Sequence, residues 1–496
     1  MAPALVVREA EEEAVAVGVE YAGARLGDAR LGKRLDLMAR RLAPAPDRSF
    51  PQAMQGEAEL EGAYRFLSNR QVRWRELLAP HVAQTCARMQ EAAREGVLLV
   101  AAHDTTELHF QGEVGARRGL GQLARGHQGF HAHVALGAAL LPPAQPEAGA
   151  RHRPLGALGL VPQVRRARPQ RTLKQRKAQS SARSPTARES ERWWQLVAQV
   201  EAALAAQDAA TPALVHVMDR EADNYRLLAQ LLQAGHRFVI RARFDRLQDS
   251  GRPMSEALEQ SPRVLGRTVR LGAREERWTN GKRVPARKSR PARLEVRACP
   301  LTLKASDYAL KDADVPARLT LHAVEVFEPQ PPEGEEPVRW VLLTCLPIDT
   351  GEQLSLILDA YCARWCVEEL FKALKTGCSL EKRQLGSLRA LLNALCLFIP
   401  IAWRLLSLRQ AARDTPQAPA AGVLHEDELL MLRHLAHARR YPLAATPTCE
   451  DVLYAVAALG GHLKRNGPPG WQTLARGHEA LTAALVGFRA ATCDQS

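Results

Sequence analysis

Cysteine is scarce and carries no pairing pattern. The 496 residues hold 9, an odd number, with no Cys-x-x-Cys anywhere. That excludes a disulfide framework and a cysteine-rich zinc module, and it favours a reducing compartment. Long apolar runs are missing too. The longest, Ala394 to Trp403, contains Pro400 and falls short of the roughly 20 residues that cross a bilayer. The opening segment turns acidic at Glu11, Glu12 and Glu13, where a secretory signal would be basic and then apolar. No repeat with a period of about 20–50 residues is visible, which excludes a solenoid. Acidic charge is in deficit: Asp+Glu 54 against Lys+Arg 68 leaves a formal +14. A composition of 46% hydrophobic and 25% charged residues excludes wholesale disorder. The expectation is a soluble, cytoplasmic, multidomain protein with no membrane partner. Its surplus of cations suits a polyanion, nucleic acid first.

The cations are concentrated. Val161 to Arg188 contains no Asp or Glu, yet holds Arg165, Arg166, Arg168, Arg171, Lys174, Arg176, Lys177, Arg183 and Arg188. A second acid-free stretch runs from Arg277 to Arg293. Each reads either as a solvated loop or as a source of phosphate contacts, which give affinity and salt dependence without sequence choice. Up to about residue 75 the pattern is one of short helices with basic faces. Apolar runs at 97–102, 131–141, 213–218 and 237–241 read as strands. Short strands, turns and prolines fill about 245–348. Helical periodicity returns over 353–375 and from about 411 onward. Strands followed by helices around one sheet predict an α/β catalytic core with helical flanks.

Two aspartates follow buried runs: Asp104 after VLLVAAH and Asp219 after ALVHVM. Such carboxylates can share a hard divalent cation, although an N-cap or turn role is the alternative for each. On the 353–375 helix, Tyr361, Arg364, Glu368 and Lys375 stand at offsets that fall on one stripe at 100° per residue. Leu356, Trp365, Leu370, Phe371 and Leu374 lie on other faces. An exposed Arg364–Glu368 ladder is the plainer reading of that stripe. Three carboxylates with nearby cations suit phosphodiester chemistry assisted by two metal ions.

Tyr361-x2-Arg364-x3-Glu368-x6-Lys375 resembles the YREK signature of bacterial DDE transposases of the insertion-sequence-four family. HDTT at 103–106 and DREAD at 219–223 are similar to the blocks around that family's first two catalytic aspartates. LGDARLGKRL (26–35) and EGAYRF (61–66) resemble its N-terminal region, and LGG (459–461) with Trp471 its C-terminal region. The resemblance implies an RNase H-like α/β core with Asp104, Asp219 and Glu368 as catalytic, metal-binding residues. Two Mg²⁺ ions would be held there, with Mn²⁺ as a substitute. It further implies a DNA-binding helical domain over 1–75 and a catalytic domain over 76–410. Within the latter it implies a strand-rich insertion at about 245–348, and after it a helical domain over 411–496 that serves dimerisation. The implied activity is cut-and-paste transposition: end cleavage, hairpin formation and resolution, then strand transfer. The implied partners are double-stranded DNA, the terminal inverted repeats and target DNA, bound by a homodimer in the bacterial nucleoid. Tyr361, Arg364 and Lys375 would contact phosphates, and Trp340 would stack on a flipped base unless it is a strand core residue. Arg241 and Arg243 would bind DNA unless they are surface strand cations. A metal-dependent nuclease, or a non-catalytic DNA-binding protein or inhibitor, are the alternatives.

Weaker signals remain. His127, His131 and His133 lack the further ligands of a zinc site, and strand or loop roles suit them better. Cys362 and Cys366 read as small packing residues. Apolar stripes at Leu429, Leu430, Leu432 and Leu435, and at Val452, Leu453, Val456 and Leu459, fit an intramolecular core or a dimer surface.

Overall fold

The computed structural model describes residues 19–493 except 113–115, 124–126, 143–149, 166–190, 208–211, 272–274, 280–281, 425 and 464–466. Most of the first basic stretch therefore lies outside the described residues. Four helices lead: α1 (Ala29–Leu42), α2 (Phe50–Ala53), α3 (Glu57–Ser68) and α4 (Trp74–Arg94). Asp28 caps α1 by accepting from the Arg30 amide, and Ser49 and Gln52 form a capping box on α2. Strands β1 (Leu98–Phe110), β2 (Gly121–Gln122), β3 (Gln128–Leu141) and β4 (Arg151–Gln163) follow. Then come α5 (Glu191–Ala205), β5 (Leu214–Met218), α6 (Tyr225–Gln233), β6 (Arg237–Arg241) and α7 (Met254–Gln260). A run of strands follows: β7 (Arg263–Leu271), β8 (Arg277–Thr279), β9 (Lys282–Val284), β10 (Arg290–Lys304), β11 (Arg318–Phe327) and β12 (Arg339–Thr344). The chain continues as α8 (Gly351–Ala363), α9 (Trp365–Lys372), α10 (Leu388–Asp414), α11 (Glu426–Ala438), α12 (Cys449–Leu459) and α13 (Trp471–Cys493).

Ten strands make one mixed sheet in the order β2-β3-β1-β5-β6-β12-β11-β10-β7, with β4 also paired to β3. β1 and β3 are antiparallel, whereas β5 runs parallel to β1 and β6 parallel to β5. The strands of the 245–348 region do not form a separate sheet, apart from the small β8–β9 hairpin. They continue the first one, because Leu342 to Thr344 of β12 pair with Val239 to Arg241 of β6.

β3 is buried along nearly its whole length, as a strand covered on both faces must be. On one face Leu99, Ala101 and Ala135 pack with Met89 of α4 and Leu196 and Val200 of α5. On the other, Val100, Val217 and Leu342 pack with Leu354 and Ile357 of α8. Where β4 passes α4, Gly156 has φ +135°, and a Cβ there would lie 2.1 Å from Thr85 Oγ1. Only glycine permits that approach. α10 has the length and apolarity of a membrane span, but 83% of its most apolar window is buried against protein. Below it, Leu429, Leu432, Val452, Leu453, Val456 and Leu459 close an internal core, so most of the two stripes face inward; Leu430 stays exposed.

Candidate active site

β1 outruns the sequence reading. Asp104 stands within the strand, not at its end, because antiparallel pairing with β3 continues from Asp104 opposite Val134 to Phe110 opposite Gln128. The parallel ladder with β5 does stop, at Ala102 opposite Val217. Carrying that register two residues further sets Asp104 beside Asp219, on strands about 4.8 Å apart. Alternation along β1 puts His103 on the α5 face and Asp104 on the α8–α9 face.

The second part of the site comes from α8 and α9, which meet at Arg364. Its side chain is only 9% exposed and lies between two carboxylates. Nη1 donates to Asp104 Oδ2 at 2.9 Å, and Nη2 donates to Glu368 Oε1 at 2.5 Å. This is more than the exposed ladder of the plainer reading, since Arg364 also binds a residue 260 positions away. Burial pushes Asp104 up to about 7; Arg364 opposes that, and the charges of Asp219 and Glu368 add to it. Burial works against the Arg364 charge as well, but Asp104, Tyr361 and Glu368 outweigh it and hold the guanidinium above its ordinary value.

Asp219 caps the short turn Arg220–Ala222 by accepting from the Glu221 amide at 2.8 Å. The N-cap reading of this residue and its place beside Asp104 therefore coexist. Asp223, closing DREAD, is fully buried and accepts from the Arg243 and Phe244 amides and from Arg246. It fixes the chain after β6, so Arg243 is anchored through its backbone while its guanidinium lies 5.4 Å from the Phe244 ring centre.

Tyr361 is buried, with its ring 5.8 Å from that of Trp340. Burial raises the phenol, while the charges of Arg364 and Arg241 act in the opposite direction. Arg241 sits opposite Leu342 across the β6–β12 pairing, two residues from Trp340. Trp340 is half-buried and packs at the edge of the α8 core. Beyond α9 the helix does not continue regularly to Lys375. A π-helical turn over Ala373–Gly377 follows α9 and breaks the 100° phase, and Lys375 Nζ lies 3.7 Å from Glu381 Oε1.

The donors at the Asp104 pocket are three carboxylates, a set that suits a hard divalent cation, and a guanidinium already lies between two of them. Their oxygens are not all mutually close. Among the described residues, the trio of ligand atoms all within 4.8 Å is a different one, Glu201, His216 and His236. Two ions about 4 Å apart, each held by a subset, would not need all three carboxylates in mutual contact.

Arg192 carried no clear sequence signal. Arg192 Nη2 donates to Glu221 Oε2 at 2.7 Å and its Nε to Thr105 Oγ1 at 3.3 Å, tying the two aspartate segments together. Only its place beside Trp193 and Trp194 at the head of α5 set it apart. His133 lies 3.0 Å from Thr105 Oγ1 and 3.1 Å from the Asp104 carbonyl, while His131 meets Glu107. The two histidines brace β1 and do not share a site. Cys362 and Cys366 are pushed up to about 11 and about 12 by burial, as inert packing thiols are.

Comparison with known proteins adds two family matches. Residues 15–72 match the family described as "Transposase DNA-binding", and residues 186–399 match "Transposase DDE domain". The second spans β5, Asp219, Arg364 and Glu368. Among solved structures, a cryo-EM piggyBac transposase synaptic complex with hairpin DNA aligns at 12% identity and TM-score 0.30. The alignment covers 64% of this chain and 48% of that one, so the chain spans about half of the solved protein's length.

Proposed function

We propose that this chain is a DDE transposase and performs cut-and-paste transposition of a DNA segment bounded by inverted repeats. The observation that carries the reading is the approach of Asp219 and Glu368 to Asp104, with Arg364 bridging Asp104 and Glu368. The three antiparallel strands β4, β3 and β1, followed by parallel β5 and β6, support an RNase H-like core. On this reading the YREK signature places the chain in the insertion-sequence-four family. The first 75 residues bind transposon ends, the strands of 245–348 are the insertion, and residues 411–496 serve a homodimer that bridges two ends.

Asp104, Asp219 and Glu368 would hold two Mg²⁺ ions, with Mn²⁺ as substitute; these supply Lewis-acid activation of the entering and departing oxygens. The protein's own groups do the rest. Arg364 holds two carboxylates at fixed orientation and offers its charge to the flanking phosphate. Tyr361 is positioned by Arg241 and Arg364, and it steadies Trp340 through ring contact. Lys375, Arg241 and Arg243 neutralise strands entering the pocket.

The test is direct. Purified protein and a fragment carrying its terminal repeats should yield hairpin ends in Mg²⁺. Nicks alone would make the chain a nuclease, and binding without cleavage would remove catalysis. Trp340→Ala should leave the first nick intact and reduce hairpins by about tenfold or more, since base–aromatic stacking contributes about 1–3 kcal/mol. Undiminished hairpins on a sequencing gel would return Trp340 to a packing role.

A further inference from the structure

On the opposite face of the sheet from Asp104, α5, β5 and the residue just before β6 bring three ligand-type side chains together. Glu201 Oε1 lies 2.8 Å from His216 Nε2 and 3.8 Å from His236 Nδ1. Ligand atoms of all three fall within 4.8 Å of one another. Ligands about 2.0–2.1 Å from a tetrahedral ion lie about 3.3 Å apart, so the observed spacings bracket that value. The residues come from three segments and are unrelated in sequence spacing.

His216 is fully buried, and its other ring nitrogen is engaged: Nδ1 lies 2.9 Å from His103 Nε2. That contact fixes the ring and leaves Nε2 directed at Glu201, as an outer partner does for a metal-ligating imidazole. His236 stacks edge-on against His216, with ring centres 5.8 Å apart, and lies 6.1 Å from Trp194. Burial holds His216 below its ordinary value despite Glu201. Glu201 stays below its own ordinary value: burial opposes this, but hydrogen bonding and charge from His216 and His236 prevail. Glu201 and His236 side chains keep 24% and 22% exposure, which leaves a route for an ion and a place for a water as fourth ligand.

We propose that Glu201, His216 and His236 form a binding site for a borderline divalent ion, Zn²⁺ by its donor set, distinct from the carboxylate pocket. Two imidazoles and one carboxylate suit such an ion, whereas Mg²⁺ prefers an all-oxygen shell. The site ties α5 to β5 and β6. It therefore braces the strand that carries Asp219, three residues beyond His216, without touching DNA. This inference does not rest on the transposition reading and stands or falls separately.

The experiment uses the full chain, stripped with chelator and titrated with Co²⁺ as a spectroscopic probe. The expected result is an intense visible band of four-coordinate Co²⁺, saturating at one equivalent and displaced by Zn²⁺. Zn²⁺ should also raise the melting temperature. His236→Ala, at a part-exposed position, should weaken Co²⁺ by at least about a hundredfold and abolish the Zn²⁺-dependent melting shift. Glu201→Gln should do likewise, and circular dichroism checks that both variants fold. A D104N/E368Q double variant should keep the band. The proposal is overturned if no saturable band appears, if the band survives both Glu201→Gln and His236→Ala, or if it is lost from the double variant.

Discussion

Replacing Asp104 or Asp219 with Asn, or Glu368 with Gln, is expected to lower DNA-end cleavage by about 10⁴-fold or more, with end binding nearly unchanged. Each change is close to isosteric. An amide oxygen at position 104 still accepts from Arg364 Nη1, and one at 368 still accepts from Nη2, so the α8–α9 junction keeps its hydrogen bonds. What is lost is one of the three carboxylate charges proposed to hold the ions. Residues that act as one unit give non-additive losses, so a double variant should be scarcely worse than either single one. Cleavage is read on labelled end fragments, and binding by gel shift. Wild-type cleavage from any one of the three removes that residue from the catalytic set. Loss of binding in parallel would mean that the pocket shapes the DNA surface instead.

The fold class was legible in the sequence because it depends on local pattern. The apolar runs ending at Ala102 and Met218 mark β1 and β5, and the run at 237–241 coincides with β6. Pairings between distant strands were not legible. Nothing near Leu342 announces that it lies against Arg241, so the pairing by which the 245–348 strands extend the main sheet was not legible. Asp104 looked terminal because polar residues follow it, yet antiparallel pairing with β3 carries the strand six residues further. The helical periodicity over 353–375 was legible, but the junction of α8 and α9 at Arg364 and the π turn over Ala373–Gly377 were not. The Glu201–His216–His236 trio was invisible because its members have no motif spacing and meet only when α5 packs on β5.

Arg364→Ala is expected to destabilise the protein in chelator by about 3 kcal/mol, because it leaves a largely buried carboxylate without its counter-charge. The Asp104 side chain is 17% exposed and that of Glu368 28%, so most of the cost falls on Asp104. The deficit must depend on pH in a definite direction. Asp104 sits at about 7 in the folded chain against an ordinary 3.8, so the native state binds its proton more tightly than the unfolded chain does. The stability that this proton confers is complete below about pH 4 and is lost as pH rises through about 7. Removing Arg364 takes away the group that lowers the value, which moves it higher and deepens the penalty at alkaline pH. The variant should therefore melt well below wild type at pH 8 and much closer to it at pH 5, where a protonated Asp104 needs no cation. Adding Asp104→Asn to Arg364→Ala should restore most of the pH 8 loss, since it removes the stranded charge. Thermal melts of the four proteins of this cycle at the two pH values decide the matter. An equal deficit at both, or no recovery in the double variant, would show that Arg364 stabilises through packing on Tyr361 and Trp365 and not through the carboxylate it contacts.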